Sequence, residues 1–528
     1  MNKICCTYIK QNPRALFGVT LVITTLVTIV ISMVCPIRFD DNDDITYAWI
    51  ASGVYSGQPD CHLVFLNALY GKMVAGLYSL LPSIEWYTIL FLIFLCASTA
   101  AIAYVICRKI NQRWLRISLL CLLFVLLFYN LICLQFTKIA AIVAFAGIVL
   151  LCDQSFIYGG ILLLIGSLIR FEAAGLVGLL MIPALCNAFQ WNWRKGWLPL
   201  ALILSVVMGF KYADKFFYQT PEWSTFHTCS RLTAGGKIND NPHCWRVRQD
   251  LPPSVSITNF DCITAFAPDP EQATVERLAA INEKIAQISL QKKAKNVYLT
   301  LLPKYWMWFL LIGIIGCAAV RGDNKKRILW IASCLIFWIA LLSMISINAT
   351  VKFRVFFASL LPILFYIIYC VADTNLAKWQ KIMVSSLLVI LMGWGFVVPI
   401  FQQLRSTCKH DLIINEQLAL YKQRGDLMVV TDGPDLRVEY LDAFHLKDAI
   451  PPHSFINPYC FSGCPLTPEY MSYRDFVDGQ LCLFSSKPIN VDLRQKALKE
   501  DYGILVAGRI IAESEHYVLV KLVRIEEN

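Results

Sequence analysis

The chain has 528 residues, of which 57% are hydrophobic and 16% are charged. With a mean hydropathy of +0.56, it is too apolar for a soluble protein of this size and is predicted to be an integral membrane protein with many spans. The formal net charge of +10 does not indicate nucleic-acid binding, because basic residues that flank membrane spans account for the surplus.

Apolar runs of roughly 20 residues predict about eleven membrane spans, so the expected fold class is an all-α polytopic bundle. The predicted spans cover residues 15–35, 87–107, 117–134, 138–152, 156–169, 173–189, 197–213, 298–320, 327–347, 353–371 and 380–400. The first run is longer than a signal-peptide core, and no small-residue cleavage pattern follows it. We therefore predict that it is retained as a helix.

Basic residues gather in five short stretches, which the positive-inside rule places in the cytoplasm. These stretches are residues 3–14, 108–116, 194–195, 321–327 and 378–381. A further apolar segment, residues 63–81, would place the second stretch outside if it crossed the membrane. We therefore predict an amphipathic helix on the outer interface, a cytoplasmic N-terminus and an outer C-terminus.

Three sizeable segments then lie outside: residues 36–86, residues 214–297 and a hydrophilic tail, residues 401–528. We expect residues 1–400 to form the transmembrane domain and the tail to form a small α/β domain. The predicted elements of the tail are strands at 427–431 and 481–484, a helix at 492–500, and a hairpin of 504–511 with 517–523.

Eight cysteines fall in the outer segments, and an oxidising compartment would permit disulfides among them. They are Cys61, Cys229, Cys244, Cys262, Cys408, Cys460, Cys464 and Cys482. Cys460 and Cys464 could also be half of a zinc site, but no second Cys/His pair stands at ligand spacing. A disulfide or free thiols are therefore the favoured interpretation.

Four carboxylates, Asp40, Asp41, Asp43 and Asp44, follow the first predicted span. Acids crowded at a membrane face repel one another and lose hydration, so their presence indicates a functional site. The alternative is a solvated acidic loop, because acidic outer loops are common.

The sequence from Asp43 to Ala51, with Tyr47 between them, resembles the Asp-Asp/Glu-x-x-Tyr-x-x-x-Ala pattern of the GT-C superfamily. These membrane glycosyltransferases use polyprenyl-phosphate sugars, and an acid of this motif lies at their catalytic centre. The resemblance covers about the first 400 residues and implies Asp43 first, and Asp44 second, as the catalytic residue. The Lys-Pro-Pro segment of the aminoarabinose-transferase-like branch is replaced by Gln-Pro-Asp-Cys-His at 58–62, which leaves the subfamily open.

Transfer of a sugar from a lipid phosphate to a hydroxyl needs a carboxylate near the attacking oxygen and cations on the leaving phosphate. Arg354 opens an Arg-aromatic-to-Pro pattern similar to a late-helix motif of GT-C enzymes that is thought to contact the donor phosphate. Arg170, Lys352 and, more weakly, Lys138 are further candidates at the same predicted depth. Alternatively, Arg170 pairs with Glu172, and Lys352 and Arg354 are interfacial anchors.

Asp41, Tyr47 and His62 are predicted to bind substrate, although a lone histidine is more often structural. Asp41, Asp43 and Asp44 could also hold Mg²⁺ or Mn²⁺, since hard oxygen ligands suit these ions. The GT-C resemblance leaves metal dependence open.

We therefore expect a bacterial inner-membrane glycosyltransferase of cell-envelope biosynthesis. It would move a sugar from an undecaprenyl-phosphate carrier to a glycan, lipid or protein acceptor at the periplasmic face. A surface-polysaccharide polymerase or ligase of the O-antigen or capsule type is the second hypothesis. A membrane transporter is the third, less favoured because the ionisable residues gather at one face rather than at mid-bilayer.

Overall fold

The computed structural model describes most of the chain between residues 12 and 525. The described ranges are 12–190, 192–234, 237–239, 241–265, 268–319, 325–372, 376–423, 428–431, 440–450, 455–456, 463–466, 472–477, 479, 481–487 and 492–525. Helices dominate these ranges, and a small sheet lies near the C-terminus.

The first half of the chain is almost entirely helical, with one pair of very short strands. Its elements are α1 Pro13–Val34, β1 Arg38–Phe39, α2 Asn42–Ser52, α3 Ala68–Leu80, α4 Trp86–Lys109, α5 Arg113–Ile132, β2 Cys133–Leu134, α6 Phe136–Cys152, α7 Phe156–Ile169, α8 Phe171–Phe189 and α9 Leu198–Ala213.

The second half continues with helices and ends in the sheet. Its elements are α10 Pro221–Thr233, α11 Cys244–Val247, α12 Ile257–Thr264, α13 Val275–Gln287, α14 Leu290–Asn296, α15 Leu302–Ala319, α16 Lys325–Asn348, α17 Phe353–Ala372, α18 Lys378–Met392, α19 Val398–Lys422, β3 Met428–Thr431, β4 Phe455–Ile456, β5 Leu481–Ser486, α20 Asp492–Tyr502, β6 Val506–Glu513 and β7 Tyr517–Arg524.

Within the described ranges, seven helical stretches are long and apolar enough to cross a membrane. They are Pro13–Val34, Trp86–Lys109, Arg113–Ile132, Phe171–Phe189, Leu290–Cys317, Ile331–Asn348 and Lys378–Ser406. The chain is therefore a mainly helical, multi-pass membrane protein, as its composition predicts. A helix lies at each of the eleven predicted spans, but several of these helices are short, so seven is the number that length and apolarity support.

The short helix α6 lies in the middle of the bundle. Every residue from Phe136 to Leu151 is buried, so this helix is covered by protein on all sides. It packs most extensively against α7, where a Cβ on Gly147 would lie 2.7 Å from the carbonyl oxygen of Gly159. Glycine therefore permits the close approach of these two helices.

The segment predicted to lie on the interface, residues 63–81, contains the 13-residue helix α3. This helix is shorter than the roughly 20 residues that a span needs. One face is buried, and the Asn67 side chain caps its start by accepting from the Leu69 N–H at 2.9 Å.

The predicted boundary at residue 401 falls inside a helix. α18, a π-helical turn at Gly393–Val397 and α19 follow one another without interruption from residue 378 to 422. The sheet beyond has the strand order β4-β3-β5-β7-β6; β3 pairs parallel with β4 and β5, and β7 pairs antiparallel with β5 and β6. The strands, helix and hairpin predicted for the tail agree with β3, β5, α20, β6 and β7.

Of the outer cysteines, Cys61, Cys229 and Cys244 have free thiols. The predicted disulfides therefore do not include these three residues. Cys460 and the side chain of Cys408 lie outside the described residues.

Candidate functional site

A short parallel pairing places the acidic segment against the start of α6. Arg38 of β1 is opposite Cys133 of β2, and the Asp40 N–H donates to the Leu134 carbonyl oxygen at 2.8 Å. α6 begins two residues later. The carboxylates that follow β1 therefore lie at the N-terminus of a buried helix, where the helix dipole favours negative charge.

Asp44 lies in the first turn of α2 and is fully buried. The Tyr87 hydroxyl donates to its Oδ1 at 2.9 Å, and the Phe136 N–H donates to the same oxygen at 3.2 Å. Burial raises the pKa of Asp44 well above its ordinary value, although the Tyr87 hydrogen bond opposes the shift. The Asp44 carboxylate therefore links α2 to α4 and α6 through hydrogen bonds.

Asp43, the residue before it, is only 5% exposed. Burial, followed by the negative charge of Asp41, raises the pKa of Asp43 to about 7. The positive charges of Arg354, Lys352 and Arg170 act on the same carboxyl group and oppose this rise. The charges of the three cations that the sequence singles out therefore act on the acid that it ranks first.

Arg354 lies in the first turn of α17 and donates to the Asp41 carboxylate through its guanidinium group. The two side chains are 21% and 27% exposed. They form the partly open rim of the site, whereas Asp43 lies further inside. Lys352 immediately precedes α17, and its carbonyl oxygen accepts from the Phe356 N–H at 3.1 Å.

Arg170 occupies the junction between α7 and α8. Its Nε lies 3.1 Å from Glu172 Oε2, which is the pairing that the sequence offers as an alternative to phosphate binding. Its Nη1 also donates to the Phe65 carbonyl oxygen at 3.1 Å, and its guanidinium lies 5.6 Å from the centre of the Phe136 ring. The guanidinium is thereby oriented, while its charge still reaches Asp43.

Lys138, in the first turn of α6, is completely buried. Its Nζ lies 3.0 Å from Asp40 and 4.7 Å from the centre of the Tyr129 ring. Asp40 is half-exposed, so this pair connects the buried start of α6 with the surface of the site.

Two of the predicted substrate-binding residues are held within the protein. Tyr47, one turn after Asp43 on α2, is buried, with its ring 5.7 Å from that of Phe136. His62 has its Nδ1 2.7 Å from Asp60 and its Nε2 2.9 Å from the Phe217 carbonyl oxygen. His62 therefore contacts both its neighbour Asp60 and the segment after α9, and the sequence does not associate it with that segment.

The carboxylates of Asp41 and Asp44 accept hydrogen bonds from different partners. Asp41 accepts from Arg354, and Asp44 accepts from Tyr87 and the backbone of α6. A cation shared by Asp41, Asp43 and Asp44 would have to compete with these contacts. The Mg²⁺ or Mn²⁺ site remains a prediction.

Apolar side chains of α4, α5, α6, α8, α16 and α17 line a cavity of about 660 Å³ inside the bundle. Phe357, one helical turn along α17 from Arg354, lines the end nearer the acids. Lys109 and Asp153, at the far ends of α4 and α6, line the other end. The cavity therefore extends along the bundle from below the site to the opposite, basic end.

Residues 440–450 of the tail cover the acidic segment, a contact that the sequence did not reveal. The Trp49 indole donates to the Leu446 carbonyl oxygen at 2.9 Å, and the Ala443 N–H donates to the Ile37 carbonyl oxygen at 3.0 Å. Thr88 Oγ1 donates to the Ala443 carbonyl oxygen at 2.6 Å. The tail therefore contacts α2, α4 and the residue before β1.

Comparisons with models of protein families, with characterised proteins and with solved structures each find no match to this chain.

Proposed function

We propose that this chain is an integral membrane glycosyltransferase of the GT-C type, with eleven spans, in a bacterial inner membrane. It transfers a sugar from a polyprenyl-phosphate carrier, such as undecaprenyl phosphate, to a hydroxyl group of a glycan, lipid or protein. The reaction takes place at the periplasmic face, where the acidic segment lies if the basic stretches are cytoplasmic.

The observation that carries this proposal is the position of Asp43 relative to Arg354. A buried carboxyl with a pKa of about 7 has the affinity for protons that a general base needs near neutral pH. Arg354 lies at the partly open rim of the site, and its planar guanidinium group can donate two parallel hydrogen bonds to a phosphate. A base and a phosphate ligand on facing elements are the two groups that sugar transfer from a lipid phosphate requires.

In the proposed step, the Asp43 carboxylate removes the proton from the acceptor hydroxyl. The acceptor oxygen forms a bond to the anomeric carbon as the bond from this carbon to the phosphate oxygen breaks. The electron pair leaves with the polyprenyl phosphate, whose added charge Arg354 stabilises, and the proton remains on Asp43. Attack opposite the leaving group inverts the anomeric centre.

The apolar cavity below Arg354 supports a lipid-linked donor. Phe357 and Leu127 are among its lining residues at the end nearer the acids. The proposed donor would place its phosphate at Arg354 and direct its hydrocarbon chain into this cavity, where apolar side chains surround it. A water-soluble nucleotide sugar has no hydrocarbon chain that could fill such a cavity.

Mass spectrometry of surface glycans and lipid carriers, from cells with and without the gene, tests the proposal. Cells without the gene should lack one sugar and accumulate its lipid-linked donor, and the wild-type gene should restore the sugar. Asp43→Asn should not restore it. Asp269→Asn is the matched control, because Asp269 is also buried with a raised pKa but accepts from Tyr502, far along the chain from the acidic segment.

Three results would contradict the proposal. Full complementation by Asp43→Asn would show that Asp43 is not the general base. Loss of long polysaccharide chains with every sugar still present would favour a polymerase or ligase. Unchanged glycans together with solute uptake into vesicles would favour a transporter.

A further inference from the structure

Three consecutive residues after α2 direct three different donor atoms into one small space. Asp60, Cys61 and His62 offer a carboxylate oxygen, a thiol sulfur and a ring nitrogen that all lie within 4.8 Å of one another. His62 Nδ1 is 2.7 Å from Asp60 Oδ1 and 3.9 Å from Cys61 Sγ. Oxygen, sulfur and imidazole nitrogen are the donor types that zinc binds in proteins.

The other nitrogen of His62 has a fixed role. Nε2 lies 2.9 Å from the carbonyl oxygen of Phe217, which can only accept a hydrogen bond, so Nε2 carries a proton. A proton lies between Nδ1 and Asp60 at their separation of 2.7 Å, and its release would direct the Nδ1 lone pair toward Asp60 and Cys61. A histidine that binds a metal characteristically donates its second N–H to a carbonyl or carboxylate oxygen in this way.

The surrounding structure holds the three residues in place. The His62 ring stacks on Trp223, with centroids 3.9 Å apart and an interplanar angle of 14°. The Asp60 N–H donates to the Ile50 carbonyl oxygen at 3.1 Å, and the backbone of Gly71 in α3 lies directly against the Cys61 carbonyl group. The site is therefore preorganised by α2, α3 and the segment that contains Phe217 and Trp223.

We propose that Asp60, Cys61 and His62 bind a zinc ion outside the membrane-spanning part of the protein. The ion fixes the His62 ring, whose Nε2 donates to the Phe217 carbonyl oxygen and which stacks on Trp223, and so holds residues 60–62 against the segment 214–234. Three protein ligands leave a fourth position for water. Binding releases the Cys61 thiol proton and the proton held between His62 and Asp60.

This proposal does not depend on glycosyl transfer, because an ion at this site can fix the outer segments in any protein of this fold. The alternative to a zinc site is a metal-free ion pair between His62 and Asp60. Burial lowers the pKa of His62, but the hydrogen bonds with Asp60 and Cys61 outweigh it and raise the pKa to about 10. The same contacts would then hold an imidazolium ring, and a metal assay separates the two arrangements.

The test uses the full-length protein purified in detergent. After removal of loose metal and incubation with Zn²⁺, elemental analysis should find about one zinc ion per chain. Substitution with Co²⁺ should give thiolate-to-cobalt charge-transfer absorption, which reports a sulfur ligand directly. Cys61→Ser should abolish this absorption, and His62→Asn should weaken zinc binding at least tenfold.

Two nearby residues provide matched controls. Cys229→Ser removes a thiol of the same outer region whose Sγ donates to the Ala273 carbonyl oxygen. His227→Asn removes a ring that stacks on Tyr218, a neighbour of His62, at 4.6 Å. Both controls should keep the zinc and the cobalt spectrum.

The unmodified protein gives a test that does not require any variant to fold. Chelation should lower its Tm, and Zn²⁺ should restore it. A zinc content near zero, a Tm that chelation does not change, or a cobalt spectrum that survives Cys61→Ser would each overturn the proposal in favour of the ion pair. Glycan analysis reports separately on Asp43, so failure of one proposal leaves the other testable.

Discussion

Arg354, in the first turn of α17, donates to the carboxylate of Asp41, the N-cap residue of α2, across 313 positions of the chain. Both side chains are partly exposed, and ion pairs of this kind contribute little to stability. Arg354 can therefore exchange Asp41 for the donor phosphate, whose two free oxygens accept two parallel hydrogen bonds and whose charge increases as the sugar leaves. Asp41 would keep the guanidinium oriented until the donor binds.

The ion pair between Arg354 and Asp41 predicts that substitutions of its two residues change activity in opposite directions. Arg354→Lys should lower kcat/KM about 100-fold, because lysine keeps the charge but loses the bidentate fork that stabilises the leaving phosphate. Asp41→Asn should retain activity and lower the KM for the donor, because it frees Arg354 from a competing carboxylate. Steady-state kinetics with a lipid-linked donor measure both; an equal loss in the two variants would show that the ion pair is only structural.

A second prediction concerns Asp44, which we assign to positioning. Asp44→Ala should lower the free energy of unfolding by about 1–3 kcal/mol, because the Tyr87 hydroxyl and the Phe136 N–H lose their common acceptor. Asp44→Asn keeps an acceptor oxygen and should be close to wild type in stability. Thermal unfolding in detergent measures the difference, and Tyr87→Phe serves as the partner variant. Equal stability of the Ala and Asn variants would contradict this role.

The sequence predicts those features of the fold that depend on neighbouring residues. Long apolar runs locate the helices, and short runs rich in Leu, Val and Ile locate β5, β6 and β7, because both patterns are local. The positive-inside rule adds longer-range information, since it assigns Asp43 and Arg354 to one face of the membrane. In the structure, Arg354 donates to Asp41, two residues before Asp43.

Contacts between distant segments could not be predicted in this way. Nothing in the sequence relates Trp49 to Leu446, or His62 to Phe217, because these hydrogen bonds end on backbone carbonyl oxygens, which every residue has. The number of spans could not be predicted for a related reason. A helix such as α6 is covered by other helices rather than by lipid, so its length alone does not identify it as a span.

The close approach of α3 to the residues after α2 gives a third prediction. A Cβ on Gly71 would lie 2.1 Å from the Cys61 carbonyl oxygen, whereas a Cβ on Gly76 of the same helix would meet nothing within 4 Å. Gly71→Ala should therefore lower the Tm. Gly76→Ala should raise the free energy of unfolding by about 0.5–1 kcal/mol through helix propensity. Thermal unfolding of the pair tests this, and a Gly71→Ala variant as stable as Gly76→Ala would contradict the packing.

The raised pKa of Asp43 gives the last prediction, in which stability and activity depend on pH in opposite directions. In the unfolded chain this carboxyl ionises near its ordinary value of 3.8, whereas in the fold it keeps its proton up to a pH of about 7. The folded state therefore binds more protons between these values. Stability should fall as the pH rises through this window, by up to about 4 kcal/mol.

The Asp43→Asn variant should lack this part of the pH dependence, so its Tm should exceed that of the wild type by a margin that grows between pH 4 and pH 7. Asp269 also titrates in this range, with a pKa raised to about 6, but it is present in both proteins, so their difference isolates Asp43. The kcat/KM of the wild type should rise with pH and level off above about 7, because only the carboxylate can accept the proton of the acceptor hydroxyl. A Tm difference between the two proteins that stays constant from pH 4 to pH 7 would show that Asp43 is ionised over this whole range. A carboxylate with so low a pKa would be a weak general base.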